Sequence, residues 1–213
     1  MPLRAYAHYE GYSLSLFTLY LNELEQMGIV RGEVQEKLME FSLGQHLPRV
    51  RSRPVEELIE FIRSGFAALL AQSIDFPRDK KQRSEFDLKG RSNLWPKELA
   101  SCSASFCIAP STLDATDVRL RLLVGRRNAI AHGRDTPVRD HDEYLAYEGH
   151  TLNVMSELAS AVETALLQCS YLRPDVKLRE TERLAYLIAQ TSGRDELANW
   201  FEAEKRLSEG QRA

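Results

Sequence analysis

Apolar residues in this chain recur every three or four positions, and no run alternates apolar with polar. The first pattern repeats around an α-helix; the second would mark a half-buried strand. A chain with only the helical pattern has to build its core from helix on helix. Leu14, Phe17, Leu21 and Leu24 fall on one face of a proline-free stretch over 4–27, with Gly28 as a stop. Val34, Leu38, Met39 and Phe41 mark a shorter helix over 32–43. Pro54 followed by Glu56 and Glu57 suits the first turn of a third. Its stripe of Leu58, Ile59, Ile62, Phe66, Leu69 and Leu70 runs to about Ile74.

Residues 75–93 are polar and charged and read as a loop. Trp95-Pro96 opens a short helix to about Cys107, and Pro110 breaks the chain. Ser111 or Thr116 is a candidate cap for the next helix, and Asp114 and Asp117 suit its N-terminus. Its stripe is Val118, Leu120, Leu122, Leu123 and Ile130, and it ends at His132-Gly133, with glycine in its usual place past a helix end. A long helix follows over 142–172, with Leu152, Met155, Leu158, Val162, Leu166 and Leu167 inward. Beyond Pro174, Leu184, Leu187 and Ile188, then Leu197, Trp200 and Phe201, mark one or two amphipathic helices. The expected architecture is all-α: an antiparallel bundle over 1–172 and a C-terminal helical extension over 173–213.

At 213 residues the chain can bury a core without covalent staples. Its three cysteines, Cys102, Cys107 and Cys169, read as reduced thiols, and no Cys/His spacing suits a zinc site. No apolar run reaches 18 residues, and the N-terminus has no signal-peptide apolar core. These features predict a cytoplasmic chain with no membrane partner, no metal and no cofactor. The net charge of −3 hides an asymmetry: residues 78–134 carry 12 Lys/Arg against 6 Asp/Glu, and the rest carry 16 against 25. A basic middle attracts polyanions, although a solvated face would have the same count.

The segment with the most chemistry is Gly125-Arg126-Arg127-Asn128-Ala129-Ile130-Ala131-His132-Gly133. Two arginines lie near a helix end, a histidine lies at it, and small apolar residues separate them. Helix-end carbonyls favour a charged imidazole, and the nearby arginines oppose it. The planar fork of Arg127 suits phosphate oxygens. Positions five apart differ by about 140° around a helix. Arg127 and His132 therefore converge on one phosphate only if the last turn relaxes, or if two copies of the motif face each other across a two-fold axis. An isolated arginine and histidine at this spacing also fit a plain surface pair.

The run Arg127-Asn128-Ala129-Ile130-Ala131-His132-Gly133 resembles the R-x4-H signature of the HEPN superfamily, including the polar residue after the arginine. Ala5-Tyr6-Ala7-His8-Tyr9-Glu10-Gly11-Tyr12 is similar to the first-helix pattern of its RiboL-PSP-associated prokaryotic branch. Ser92-Asn93-Leu94 before Trp95-Pro96-Lys97-Glu98-Leu99 resembles that branch's segment before the signature helix. The resemblance spans roughly residues 4–170. It implies a helical homodimer in which both motifs meet at one composite site. It also implies metal-independent cleavage of RNA by 2′-hydroxyl attack, leaving a 2′,3′-cyclic phosphate and a 5′-hydroxyl, in a toxin or an antiviral defence effector. By position, His132 would be the general acid/base, Arg127 would stabilise phosphorane charge, and Asn128 would orient His132 or the phosphate. An antitoxin or defence-system partner is implied as well. Relatives silenced by a nucleotidyltransferase carry tyrosine two places after the histidine; Arg134 stands there in this chain, so tyrosine modification at that site is not expected.

Arg126, Arg134, Lys80, Lys81 and Arg83 are the candidate RNA-binding residues. His8 and Glu10 fit either a supporting role in the cleft or, preferably, a buried hydrogen-bonding pair between helices. Tyr6, Tyr9, Tyr12, Phe17 and Tyr20 suit core and dimer packing better than base stacking. His141 and His150 read as exposed or structural. The other function class compatible with the resemblance is a non-catalytic HEPN-type module that binds nucleotide, RNA or protein. The intact arginine-histidine pair favours the enzyme.

Overall fold

The computed structural model of the chain describes residues 2–44, 46, 50, 54–77, 94–109, 117–134, 141–192 and 195–209. The helical periodicity is realised as α1 (Pro2–Gln26), a 3-10 turn (Arg31–Glu33), α2 (Glu36–Leu43), α3 (Val55–Glu60) and α4 (Phe66–Leu70). It continues as α5 (Pro96–Ser105), α6 (Val118–Ala131), α7 (His141–Leu167), α8 (Pro174–Ser192) and α9 (Glu196–Ser208). Among the described residues there is no strand, only the isolated bridges Val30–Ser73 and Val34–Leu172. The fold is all-α. No described helix is long and apolar enough to cross a membrane.

The chain forms two compact units. The first combines Met1–Leu21 with Arg78–Val162, and the second combines Asn22–Pro77 with Glu163–Ala213. Compactness therefore groups the C-terminal helices with residues 22–77.

In the first unit the core is Tyr6, Tyr9, Phe17 and Tyr20 of α1 against Leu99, Cys102 and Phe106, with Leu120, Leu123 and Val124 of α6 and Val154, Leu158 and Val162 of α7. Phe17 meets the Phe106 ring edge-on at 5.3 Å, and the Tyr20 hydroxyl donates to the Phe106 carbonyl at 2.9 Å. The tyrosines are core residues as expected, except for Tyr12, which is exposed. Two apolar stripes need correction. In α6 Val118 and Leu122 are exposed, because the inward line runs through Leu120, Leu123 and Val124 and so reaches Arg127 one turn later. In α7 Leu152 and Leu167 are exposed, and the inward line is Thr151, Val154, Leu158 and Val162. Thr151 can join that line because its hydroxyl donates to the Tyr147 carbonyl at 2.7 Å.

Three helix ends share one geometry. Gly133, Cys107 and Cys169 all have positive φ (65°, 59° and 50°) just past α6, α5 and α7. In each case the next residue's N–H reaches back along the helix: Arg134 to Ala129, Ile108 to Ser103 and Ser170 to Ala165, at 2.8–2.9 Å. This is the Schellman closure, which satisfies carbonyls that the helix leaves open. Two of the three cysteines thus stand where glycine is the easier residue. Cys102, Cys107 and Cys169 form no disulfide.

In the second unit, the helix expected over 32–43 starts late, because Val34 is extended and the Gln35 N–H donates to the Tyr171 carbonyl at 2.8 Å. The third helix carries a π-helical turn, Phe61–Gly65, between α3 and α4. Its stripe is corrected too: Ile59, Ile62 and Phe66 are exposed, and Leu58, Phe61, Gly65 and Leu69 form the covered line. That line passes through a glycine, which an apolar count skips; a Cβ on Gly65 would lie 2.7 Å from the Phe61 ring.

Arg31 is fully buried here. It donates to Ser42 Oγ at 3.1 Å and to the Leu69 carbonyl at 2.6 Å, and it pairs with Asp75, beside His46. Alanine at Arg31 would strand two buried acceptors, Ser42 Oγ and the Leu69 carbonyl. The expected cost is about 3 kcal/mol, read as a lower urea midpoint, and a midpoint unchanged from the parent would contradict it.

Candidate active site

Asp117 starts the helix that carries the motif. Its carboxylate accepts the Leu120 N–H at 2.9 Å and stands 2.8 Å from His150 Nε2. The cap is thus Asp117, while Ser111, Asp114 and Thr116 lie outside the described residues. His150 has a structural place, tying α7 to the N-terminus of α6, and His141 is exposed.

Near the other end of α6, the adjacent arginines take different environments. Arg126 is largely buried and pairs with Glu143 of α7. Arg127 follows the inward line, and its guanidinium lies over the Tyr6 ring, 5.0 Å from the centroid. It also donates from Nη1 to Asn128 Oδ1 at 2.9 Å. The family resemblance implies that Asn128 orients His132 or the phosphate; the contact present is with Arg127.

Tyr6 is itself held at its far end. Its hydroxyl accepts the Leu94 N–H at 3.1 Å and donates to Glu10 Oε1 at 2.7 Å. Burial first, then the hydrogen bond to Glu10, push the phenol well above its usual range, so it stays protonated. The expected His8–Glu10 pair does not form. Helix α1 turns Glu10 toward Tyr6 and leaves His8 exposed, where it lines a cavity of about 570 Å³ with Tyr12, Tyr144, Glu148 and Leu152.

His132 caps α6. Its N–H donates to the Asn128 carbonyl at 3.0 Å, with φ −95° and ψ 9°. Its imidazole is exposed and makes no hydrogen bond among the described residues. Gly133 at φ +65° then closes the helix and sends Arg134 into solvent. Alanine at Gly133 would meet no steric obstacle but would sit in the left-handed region. It should cost about 1–2 kcal/mol in urea denaturation, and a neutral result would show that the turn relaxes.

The structure therefore brings Arg127, Asn128, Tyr6 and Glu10 together and sets His132 at the end of the same helix. Arg126 is engaged elsewhere, and Lys80, Lys81 and Arg83 lie outside the described residues. The site residue that sequence reasoning misses is Tyr6. Its i, i+4 relation to Glu10 is readable in α1; its contact with Arg127, on a helix far along the chain, is not.

The sequence matches the MAE_28990-like HEPN family over residues 2–171. No curated protein and no solved structure gives a match.

Proposed function

The chain belongs to the HEPN family, and from that premise we propose that it is a metal-independent endoribonuclease, acting as a toxin or antiviral defence effector in the cytoplasm. The observation that carries this reading is the end of α6: a guanidinium held on a ring and an exposed imidazole at the cap. These are the two groups that phosphoryl transfer without a metal requires.

The reaction proposed is attack of a ribose 2′-oxygen on the adjacent phosphorus. The 2′-O–P bond forms, the P–5′-O bond breaks, and the products are a 2′,3′-cyclic phosphate and a 5′-hydroxyl. His132 takes the 2′-hydroxyl proton, and an imidazolium returns a proton to the leaving 5′-oxygen. Arg127 faces the charge that builds on the equatorial oxygens, with Asn128 fixing its direction. One imidazole cannot hold both protonation states at once. A homodimer in which each copy contributes a His132 supplies both, and it would answer the spacing problem along the helix. Arg134, exposed beyond His132, and the basic residues Lys80, Lys81 and Arg83 would hold the RNA backbone. We take residues 1–172 as the HEPN domain and 173–213 as its extension, and an antitoxin or defence-system partner belongs to the same proposal. The proposed kinship with the RiboL-PSP-associated branch rests on the Ala5–Tyr12 and Ser92–Leu99 segments.

Purified protein incubated with single-stranded RNAs in EDTA, followed by end-group analysis, tests the reading. Cyclic phosphate and 5′-hydroxyl ends support it. RNA bound but left intact by a folded dimer would favour the non-catalytic binding module instead.

A further inference from the structure

We propose that Tyr6 is a positioning residue for Arg127, acting through its ring face; this rests on the nuclease reading of Arg127 given above. Three observations converge on it. Tyr6 is 2% exposed, and its ring lies under the guanidinium at 5.0 Å. Its hydroxyl end is fixed by a backbone donor, Leu94 N–H, and by a carboxylate acceptor, Glu10. Arg127 stands on the inward line of α6, so its side chain meets α1 before it meets solvent.

A π face holds a guanidinium differently from a carboxylate. A carboxylate takes up N–H donors and cancels charge, as Glu143 does for Arg126. An aromatic face attracts the cation through its quadrupole and is uncharged. The ring itself therefore cancels none of the positive charge that a phosphate would meet. Donation of the phenol proton toward Glu10 increases electron density in the ring and strengthens its hold on the cation. Glu10 thus acts at one remove, through the ring, without touching the reacting atoms.

The test uses full-length protein with Tyr6→Leu, which removes the ring, and Tyr6→Phe, which keeps the ring and removes both hydrogen bonds. The first readout needs no catalysis. Ring current should move the Arg127 Nε–H proton resonance upfield in the parent and in Tyr6→Phe, and Tyr6→Leu should abolish that shift. The second readout is kinetic: Tyr6→Leu should lower kcat about 10- to 100-fold with little change in KM, and Tyr6→Phe should recover most of it. In an Arg127→Ala background, Tyr6→Leu should have no further effect on kcat.

An Arg127 resonance that Tyr6→Leu leaves unmoved would overturn the proposal. So would an equal loss of kcat with and without Arg127, which is what general damage to the core produces. If Tyr6→Leu fails to fold, Tyr6→Met, which also lacks the ring, takes its place, and a kcat and an Arg127 resonance equal to those of Tyr6→Phe would overturn the proposal. A resonance that responds to the ring in a protein that cleaves no RNA would uphold the contact and sink the nuclease reading instead.

Discussion

Alanine in place of His132 is expected to slow RNA cleavage by about 10²- to 10⁴-fold, the usual contribution of a positioned general acid or base. Stability should hardly change. The imidazole is exposed, makes no hydrogen bond among the described residues, and sits on a backbone with negative φ that alanine adopts freely. Loss of rate without loss of fold would separate chemistry from scaffolding. A fall in the urea midpoint matching the fall in rate would assign His132 a structural role. Mixing parent and variant chains extends the result. If each site needs an imidazole from both copies, an equimolar, fully exchanged mixture should retain about a quarter of the parent activity; independent sites would retain about half. A composite site with one imidazole as base and one imidazolium as acid also predicts a bell-shaped pH dependence of kcat/KM, and a profile that rises to a plateau would exclude that division of labour.

What is legible in the sequence follows from range. Helix ends are set by neighbours, so Gly28 and His132-Gly133 are readable, as is the all-α class from the spacing of apolar residues. The inward faces of α6 and α7 are less so, because each helix carries leucines on two sides and only the packing partner selects one. Leu120 and Leu123 are buried while Leu122 is exposed, and nothing local distinguishes them. The turn inside residues 55–70 is hidden for a different reason: its covered line includes Gly65, a residue with no hydrophobic signal. At the candidate site, the resemblance to a family signature is what singles out Arg127, Asn128 and His132. What holds them is not readable, because the contacts of Tyr6 with Arg127 and of Arg126 with Glu143 join separate helices. Cysteines at the left-handed ends of α5 and α7 are illegible as well, since glycine is what that conformation ordinarily signals.

Two adjacent arginines make the sharpest test of the site. Arg127→Ala should lower kcat about 10²- to 10³-fold, the typical loss when a group aimed at transition-state charge is removed. Arg127→Lys should regain only part of this, because an ammonium keeps the charge but lacks the planar fork that meets two oxygens and the flat face that lies on Tyr6. Losing the contacts with Asn128 and Tyr6 should itself cost no more than about 1 kcal/mol of stability, since the hydrogen bond to Asn128 joins neighbours on one helix and the cation–π contact is individually weak. Arg126→Ala should behave in the opposite sense. It leaves the partly buried Glu143 without this cation, so stability should fall by about 1–3 kcal/mol while kcat, measured on the folded fraction, stays near the parent value. The two substitutions alter the same residue type one position apart, so net charge and helix propensity are matched, and the remaining difference is what each guanidinium touches. Should Arg126→Ala prove the slower enzyme and Arg127→Ala the less stable protein, the roles assigned from Tyr6 and Glu143 would have to be exchanged.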